Sequence, residues 1–134
     1  MRKILVLCLL TVSIIGCQQD PSVFVNNQTL VGNFHEDTEI AAFLGVPFAE
    51  PPLKDLRWHK PVAFKAKNSV RNAQQFSSAC MQKMGILEWY RDLAEIFVND
   101  RNVVSDLVTD EDCLYLNIWT PTLDSSANLP VMVY

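Results

Sequence analysis

Histidine and glycine are scarce in this sequence of 134 residues, which contains two histidines and four glycines. The glycines, at positions 16, 32, 45 and 85, form neither the G-x-S-x-G turn that presents a nucleophilic serine nor a glycine-rich loop for phosphate groups. Hydrolysis by a serine nucleophile also requires a histidine base and an acid that orients it, and no such set can be assigned. We therefore name no catalytic residue from the sequence.

Apolar runs long enough to span a membrane are also lacking. The longest run, Ile4 to Ile15, has twelve residues and is interrupted only by Thr11 and Ser13, whereas a membrane-spanning helix needs about 20 residues. Because the run follows the basic start Met1-Arg2-Lys3, it predicts a signal peptide over residues 1–16.

The predicted signal ends at Ile15-Gly16-Cys17, which resembles a bacterial lipobox. This resemblance implies that Cys17 is acylated. The polar, proline-containing residues after it predict a short tether, so that residues 17–22 comprise the lipidated cysteine and the tether, and residues 23–134 form the N-terminal fragment of a domain. Two or three acyl chains would anchor the protein stably, whereas a single chain binds a membrane only marginally. We expect an exported lipoprotein, located on the outer membrane or cell surface if the host is Gram-negative. The alternative is an ordinary signal peptide in which Cys17 has no special role.

Basic residues are fewer than acidic ones, 11 against 15, which gives a net charge of −4. Removal of residues 1–16 would take away Arg2 and Lys3 and no acidic residue, leaving 9 basic and 15 acidic groups and a net charge of −6. Such a chain lacks the positive surface that binds a phosphate backbone. We therefore expect no nucleic-acid partner.

Cysteine occurs at four positions, of which Cys8 lies inside the predicted signal and Cys17 is the predicted lipid site. Cys80 and Cys113 remain, in a compartment that permits disulfides. A metal site is the alternative interpretation. However, two cysteines 33 residues apart without a C-x-x-C spacing, and two histidines elsewhere, do not supply four ligands at the usual spacing.

The apolar pattern predicts a small set of strands and helices. Asn26-Asn27 between two short apolar runs indicates a β-hairpin over residues 23–32. Residues 40–46 predict a buried strand, and the prolines that follow predict an extended surface loop. Apolar residues at three- and four-residue spacing predict a helix over residues 86–97. A weaker helical pattern covers residues 103–108, and residues 129–134 predict the beginning of another strand.

The most specific segment is Glu111-Asp112-Cys113-Leu114-Tyr115-Leu116-Asn117-Ile118-Trp119-Thr120-Pro121. Leu114, Leu116, Ile118 and Thr120 fall on one side of an extended chain and Tyr115, Asn117 and Trp119 on the other, which predicts a strand. Pro121 ends it, because proline has no N–H to donate to a neighbouring strand. Adjacent strand residues point to opposite faces, so the neighbouring carboxylates Glu111 and Asp112 favour a structural role over acid–base catalysis.

This segment resembles the "EDCLYLN" signature of the type B carboxylesterases, the cholinesterase-like branch of the α/β-hydrolase family. Two further motifs resemble that family in order and spacing. Residues 43–52 are similar to "FxGIPYAxPP", and Leu56-Arg57-Trp58 with Pro61 is similar to "LRFxxP". The resemblance covers roughly residues 24–134. It implies the N-terminal portion of an α/β-hydrolase fold, with a β-meander, a disulfide-closed loop that contains a helix, and the first strands of the central sheet.

The resemblance also implies roles for individual residues. It implies a disulfide between Cys80 and Cys113, and a structural salt bridge between Arg57 and Glu111, for which two independent surface charges are the alternative. In cholinesterase-like relatives the disulfide-closed loop borders the substrate gorge, so Trp89 or Tyr90 could face substrate. The alternative, which we favour, is a helix stripe packed on its own domain.

By resemblance, the parent protein would hydrolyse small carboxylic esters through an acyl-enzyme, without metal or organic cofactor. The alternative is a non-catalytic cholinesterase-like binding or adhesion lipoprotein that keeps the fold. We interpret the 134 residues as an N-terminal fragment without the catalytic triad and the oxyanion loop, and expect them to be inactive alone. A complete gene product of 134 residues is a further alternative.

Overall fold

The computed structural model describes residues 19–67 and 69–134. The predicted signal peptide and Cys17 lie outside the described residues. The described chain forms eight strands and one α-helix, which are β1 (Ser22–Val25), β2 (Gln28–Val31), β3 (Asn33–Phe34), β4 (Ala41–Pro47), β5 (Ser69–Asn72), β6 (Ala79–Cys80), α1 (Gly85–Val98), β7 (Thr109–Asp110) and β8 (Tyr115–Thr120). Short 3₁₀ helices cover Lys54–Leu56 and Arg101–Val103.

The first three-stranded sheet has the order β1-β2-β5. β1 and β2 are antiparallel, and the turn between them places Asn26 at φ 47° and Asn27 at φ 61°. Positive φ at both central residues is typical of the type I′ turn, whose twist matches that of the flanking strands. The hairpin predicted over residues 23–32 is therefore confirmed. β5 pairs with β2 in parallel, from Gln28 beside Ser69 to Val31 beside Asn72.

The second three-stranded sheet has the order β3-β4-β8. β4 is the most buried strand, with Ala41 through Leu44 each below a tenth exposed. Its prediction from the apolar run is confirmed. β8 runs antiparallel to β4, from Ala41 beside Thr120 to Pro47 beside Tyr115, which confirms the strand predicted from the alternating segment.

The core of the described chain lies where the two sheets meet. Leu30 of the first sheet packs with Ala41 and Phe43 of the second, and Ala73 fills the space after β5. Backbone hydrogen bonds join the same region, because Ala73 N donates to Val31 O at 2.8 Å and Leu44 N donates to Ala73 O at 2.7 Å. The segment after β5 therefore bridges the two sheets.

The proline-containing segment after β4 forms a surface loop, as the sequence predicts. Ala49 makes an isolated antiparallel bridge with Ala63, and Glu50 N donates to Val62 O at 2.8 Å. The Glu50 carboxylate also accepts a hydrogen bond from Lys65 N at 2.9 Å. These contacts close the loop on itself and leave Arg57 near its tip.

The predicted helix is confirmed as α1, which has 14 residues. It ends at Asn99, which adopts the left-handed conformation at φ 54° and donates its N–H to Glu95 O at 3.1 Å. Such a left-handed residue is a common helix end because it satisfies an otherwise free carbonyl. No helix in the described part of the chain has the length and apolar character needed to cross a membrane.

Two element predictions are wrong for the described residues. The weaker helical pattern over residues 103–108 gives only the end of a 3₁₀ turn, because Val104 turns to extended geometry at φ −96° and ψ 101° and the chain then runs towards β7. Residues 129–134 form no strand. Val131 is 84% exposed, and no described strand lies beside this segment to complete a ladder.

Candidate functional site

The base of β8 is tied to β6 and β7 by a short covalent and hydrogen-bonded junction, which we call the neck. β6 and β7 are parallel, with Ala79 beside Thr109 and Cys80 beside Asp110. The structure contains a disulfide between Cys80 and Cys113, whose Cα atoms are 4.9 Å apart. The neck closes residues 81–112, which include α1, into one loop. We call these residues the closed loop.

Arg57 and Glu111 form an ion pair beside the neck. The Arg57 Nε donates to Glu111 Oε2 at 3.0 Å, and Nη2 contacts the same oxygen. The hydrogen bond, followed by the charge of the Glu111 carboxylate, raises the pKa of Arg57 above its ordinary value. The guanidinium therefore stays charged and does not act as an acid or a base. The Arg57–Glu111 ion pair joins the proline-containing surface loop after β4, which we call the proline loop, to the segment that leads into β8.

A bulge interrupts the pairing of β4 with β8 between Phe43 and Val46. Gly45, at φ 64°, occupies this bulge. Its N–H donates to Asn117 Oδ1 at 3.0 Å, and its carbonyl accepts from Arg71 Nη2 at 3.2 Å. Side chains of β8 and β5 thus hold both polar groups of one backbone residue in β4.

Tyr115 and Trp119 lie on the same face of β8 as Asn117, because side chains two residues apart in a strand point the same way. The Arg71 guanidinium carbon lies 5.8 Å from the centroid of the Tyr115 ring, and the Phe76 and Trp119 rings are 6.4 Å apart. Partial burial, and then the hydrogen bond with Asp112, raise the pKa of the Tyr115 hydroxyl above its ordinary value. Tyr115 therefore stays protonated at neutral pH and acts as a packing and hydrogen-bonding residue.

The charged side of α1 is tied to the segment that follows it. Arg91 pairs with Glu88 at 2.7 Å and with Asp106 at 2.5 Å. Arg101 pairs with Glu88 at 3.1 Å and also contacts Asp92. These four ion pairs hold the 3₁₀ turn and residues up to 106 against the helix. All four ion pairs lie within the closed loop.

Trp89 and Tyr90 lie on α1 and pack edge to face, with ring centroids 5.1 Å apart. They are 54% and 51% exposed, and the described residues contain no substrate site that either ring could line. The proposed gorge-lining role of these residues stays a prediction.

No nucleophile–base pair occurs among residues 19–67 and 69–134. No histidine side chain in these ranges is hydrogen-bonded to a serine, and His35 contributes only backbone groups to the hydrogen bonds there. The same ranges contain no cluster of three or more His, Cys, Asp or Glu side chains placed to hold a metal ion. The chemistry of the described site is therefore that of a scaffold, in which disulfide, ion pair and bulge fix the position of β8.

Sequence reasoning identified the cysteines and the Arg57–Glu111 pair but missed the Gly45–Asn117–Arg71 contacts. Two signals were available. A glycine within an apolar strand often marks a bulge, and Asn117 is a polar residue between apolar neighbours in β8. Neither signal predicts which residues contact each other, because Gly45, Arg71 and Asn117 lie in three different strands.

Comparison with known proteins identifies relatives for most of the chain. The model of the carboxylesterase family matches residues 19–134. Carboxylesterase 1C of Mus musculus is 42% identical over 96 residues, which cover 71% of this chain and 17% of the mouse protein. Fumonisin B1 esterase of Sphingopyxis macrogoltabida is 35% identical over 96 residues, which cover 72% of this chain and 15% of that protein.

A solved structure, a thermophilic PNB esterase, superimposes with a TM-score of 0.58 at 21% identity and covers 77% of this chain and 18% of its own. This likeness shows that the described elements form a part of the α/β-hydrolase fold. The chain spans about one sixth of the length of the curated relatives it matches. Because the family model matches from residue 19 to residue 134, including the EDCLYLN segment that leads into β8, the chain belongs to the carboxylesterase family.

Proposed function

We propose that the protein hydrolyses small-molecule carboxylic esters by a serine nucleophile, through an acyl-enzyme. The observation that carries the proposal is the match of the carboxylesterase family model to residues 19–134. Relatives named as esterases, such as carboxylesterase 1C and fumonisin B1 esterase, support it. No metal or organic cofactor is required by this route, in which a serine attacks the ester carbonyl and water later hydrolyses the acyl-enzyme.

The described residues contribute to this function by positioning. The Arg57–Glu111 ion pair joins the proline loop to the segment that precedes β8. The Cys80–Cys113 disulfide closes the neck, and the Asn117 side chain accepts a hydrogen bond from the bulge of β4. Each of these groups holds a backbone segment in position, and none of them is proposed to contact a reacting atom. We therefore expect their substitution to affect folding and the placement of β8 before it affects chemistry.

The proposal predicts esterase activity in the protein as its host exports it. Purified protein should hydrolyse p-nitrophenyl acetate and butyrate, and a fluorophosphonate probe should label one serine in proportion to the lost activity. Residues 18–134 produced alone serve as the control. We expect this fragment to show the buffer rate, because the described residues contain no serine activated by a histidine.

Absence of turnover and of probe labelling in folded exported protein would contradict the proposal. That outcome would favour a non-catalytic binding or adhesion protein of the same fold, since a fold alone does not determine activity. Stoichiometric labelling of a serine in residues 18–134 would instead place the active site in this part of the chain.

We further propose that the protein is a lipoprotein anchored to a membrane through Cys17. The support is the sequence alone, namely the basic start, the twelve-residue apolar run and the lipobox-like Ile15-Gly16-Cys17. The polar residues after Cys17 would serve as a short tether to β1. Gln18 in place of an aspartate after the cysteine favours the outer membrane in a Gram-negative host.

The lipoprotein proposal predicts that a clickable fatty acid labels the protein in cells and that Cys17→Ser abolishes the label. Cys8→Ser is the matched control, because Cys8 lies inside the predicted signal and its loss should leave labelling unchanged. Labelling that persists in Cys17→Ser would overturn the lipid anchor. Fractionation entirely into the inner membrane would overturn only the predicted location.

A further inference from the structure

One end of the first sheet holds the chain that enters β1. We call this the entry end, where β1 begins and β2 and β5 finish, at Ser22, Val31 and Asn72. Pro21 is buried, and its carbonyl oxygen accepts a hydrogen bond from Gly32 N at 2.9 Å. Gly32 packs closely on β4, because a Cβ atom there would collide with the Ala42 carbonyl oxygen. Residue 21 is therefore fixed to a closely packed part of the fold.

The Gln74 side chain fixes the residue that precedes Pro21. Its Nε2 donates to Gly32 O at 2.9 Å and to an Asp20 carboxylate oxygen at 3.0 Å. A carbonyl and an ionised carboxylate can only accept, so these two partners determine the orientation of the amide. The Gln74 Oε1 in turn accepts from Asn72 Nδ2 at 3.0 Å. Gln74 thus joins Asp20 to the ends of β2 and β5.

These contacts leave little free chain between the fold and the proposed lipid site. Only Gln18 and Gln19 separate Cys17 from Asp20. Three residue steps of fully extended chain span at most about 11 Å. The bound depends on contacts that are present and on chain length, so it holds whatever further parts the protein has.

We propose that the entry end of the first sheet lies against the lipid headgroups of the membrane, with β1 and β2 leading away from it. The inference rests on the proposed lipid anchor at Cys17. The chain leaves the sheet at its end, because the pairing of β1 with β2 continues in line through Pro21. Asp20 is acidic, whereas Lys65 and Lys67 precede β5 and so approach the sheet from its opposite end. Covalent attachment, and not attraction to an anionic surface, therefore sets the orientation.

Energy transfer to acceptor-labelled lipid headgroups tests the orientation in exported, lipidated protein that is reconstituted into liposomes. A fluorophore is attached through a clickable amino acid at Ser22, at the entry end, or at Ser69, at the opposite end. Strand residues rise about 3.3 Å each, so Ser22 should lie up to about 10 Å nearer to the headgroups than Ser69. The difference should persist in high salt, because salt screens charges and leaves a covalent tether unchanged.

Two variants test the short tether. A Gly-Ser spacer of about twelve residues between Gln18 and Gln19 should lengthen both distances by up to about 20 Å and remove their difference, because a flexible chain of that length has an end-to-end distance of this order. Gln74→Glu replaces two donated hydrogen bonds by repulsion from Asp20 and from the Gly32 carbonyl. It should speed hydrogen exchange of the Gly32 amide on the order of tenfold. Gln75→Glu, the same charge change one residue later, should not.

Equal distances for the two positions, or a nearer Ser69, in protein that carries the fatty-acid label would overturn the orientation and leave the lipoprotein proposal standing. A difference that vanishes in high salt, or distances that the spacer leaves unchanged, would also overturn it. Unchanged exchange of the Gly32 amide in Gln74→Glu would mean that Gln74 does not hold the entering chain. Absence of the fatty-acid label would instead overturn the lipid anchor and the orientation together.

Discussion

Phe43→Ala is expected to lower the free energy of unfolding by about 3–5 kcal/mol, the usual cost of removing a buried aromatic ring and leaving a cavity. Phe43 is 3% exposed and packs with Leu30, Ala41 and Ala73 where the two sheets meet. The surrounding backbone has little freedom to fill the space, because hydrogen bonds from β2 through Ala73 to β4 hold the two sheets together. Urea denaturation followed by circular dichroism measures the loss.

Phe24→Ala is the matched control for this substitution. Phe24 lies in β1 and is 67% exposed, so the same atoms are removed from a side chain that is already largely in water. A surface substitution of this kind usually changes stability by less than about 1 kcal/mol. Comparable losses for the two variants would contradict the placement of the core between β2 and β4.

Gly45→Ala is expected to lower the free energy of unfolding by about 2–4 kcal/mol, from backbone strain and steric conflict together. Gly45 has φ 64°, a conformation that costs an alanine but not a glycine. A Cβ atom there would lie 2.9 Å from the Gln75 carbonyl oxygen and 3.2 Å from Ser77 N, both of which are backbone atoms. The bulge would have to shift, and its hydrogen bonds with Asn117 and Arg71 would be disturbed.

Gly85→Ala is the control with the opposite expectation. Gly85 is the first residue of α1, and a Cβ atom there would meet no other atom within 4 Å. Alanine forms helices better than glycine, so the variant should be unchanged or more stable by up to about 1 kcal/mol. If Gly45→Ala proved as well tolerated as Gly85→Ala in the same denaturation experiment, the left-handed bulge would be wrong.

Most residues of the EDCLYLN segment make contacts that hold the fold together. Glu111 pairs with Arg57, Cys113 forms the disulfide, Tyr115 lies beside Arg71, and Asn117 accepts a hydrogen bond from the β4 bulge. Leu114 O also accepts from Phe48 N at 3.2 Å. The motif is therefore informative about family because several of its residues meet specific partners far away in the chain. It contains neither a serine nor a histidine.

Local patterns in the sequence determined the regular elements with strong periodicity or turn chemistry. Asn26-Asn27 adopts the positive φ that a tight hairpin requires, the apolar residues of α1 recur at helical spacing, and β8 lies in the segment that the sequence predicts as a strand. In each case the information lies within about a dozen neighbouring residues. The resemblance in residues 111–117 supplied the pairings that local patterns cannot, namely Cys80 with Cys113 and Arg57 with Glu111.

Only the tertiary structure decided the remaining features, because each depends on residues that are distant in sequence. The helical pattern at 103–108 became extended chain on its way to β7, and residues 129–134 form no strand because no described strand lies beside them. The Gly45 bulge exists only where β5 and β8 bring Arg71 and Asn117 to it. A side chain's partner depends on how strands are ordered and registered in space, and a local sequence pattern contains no information about that order.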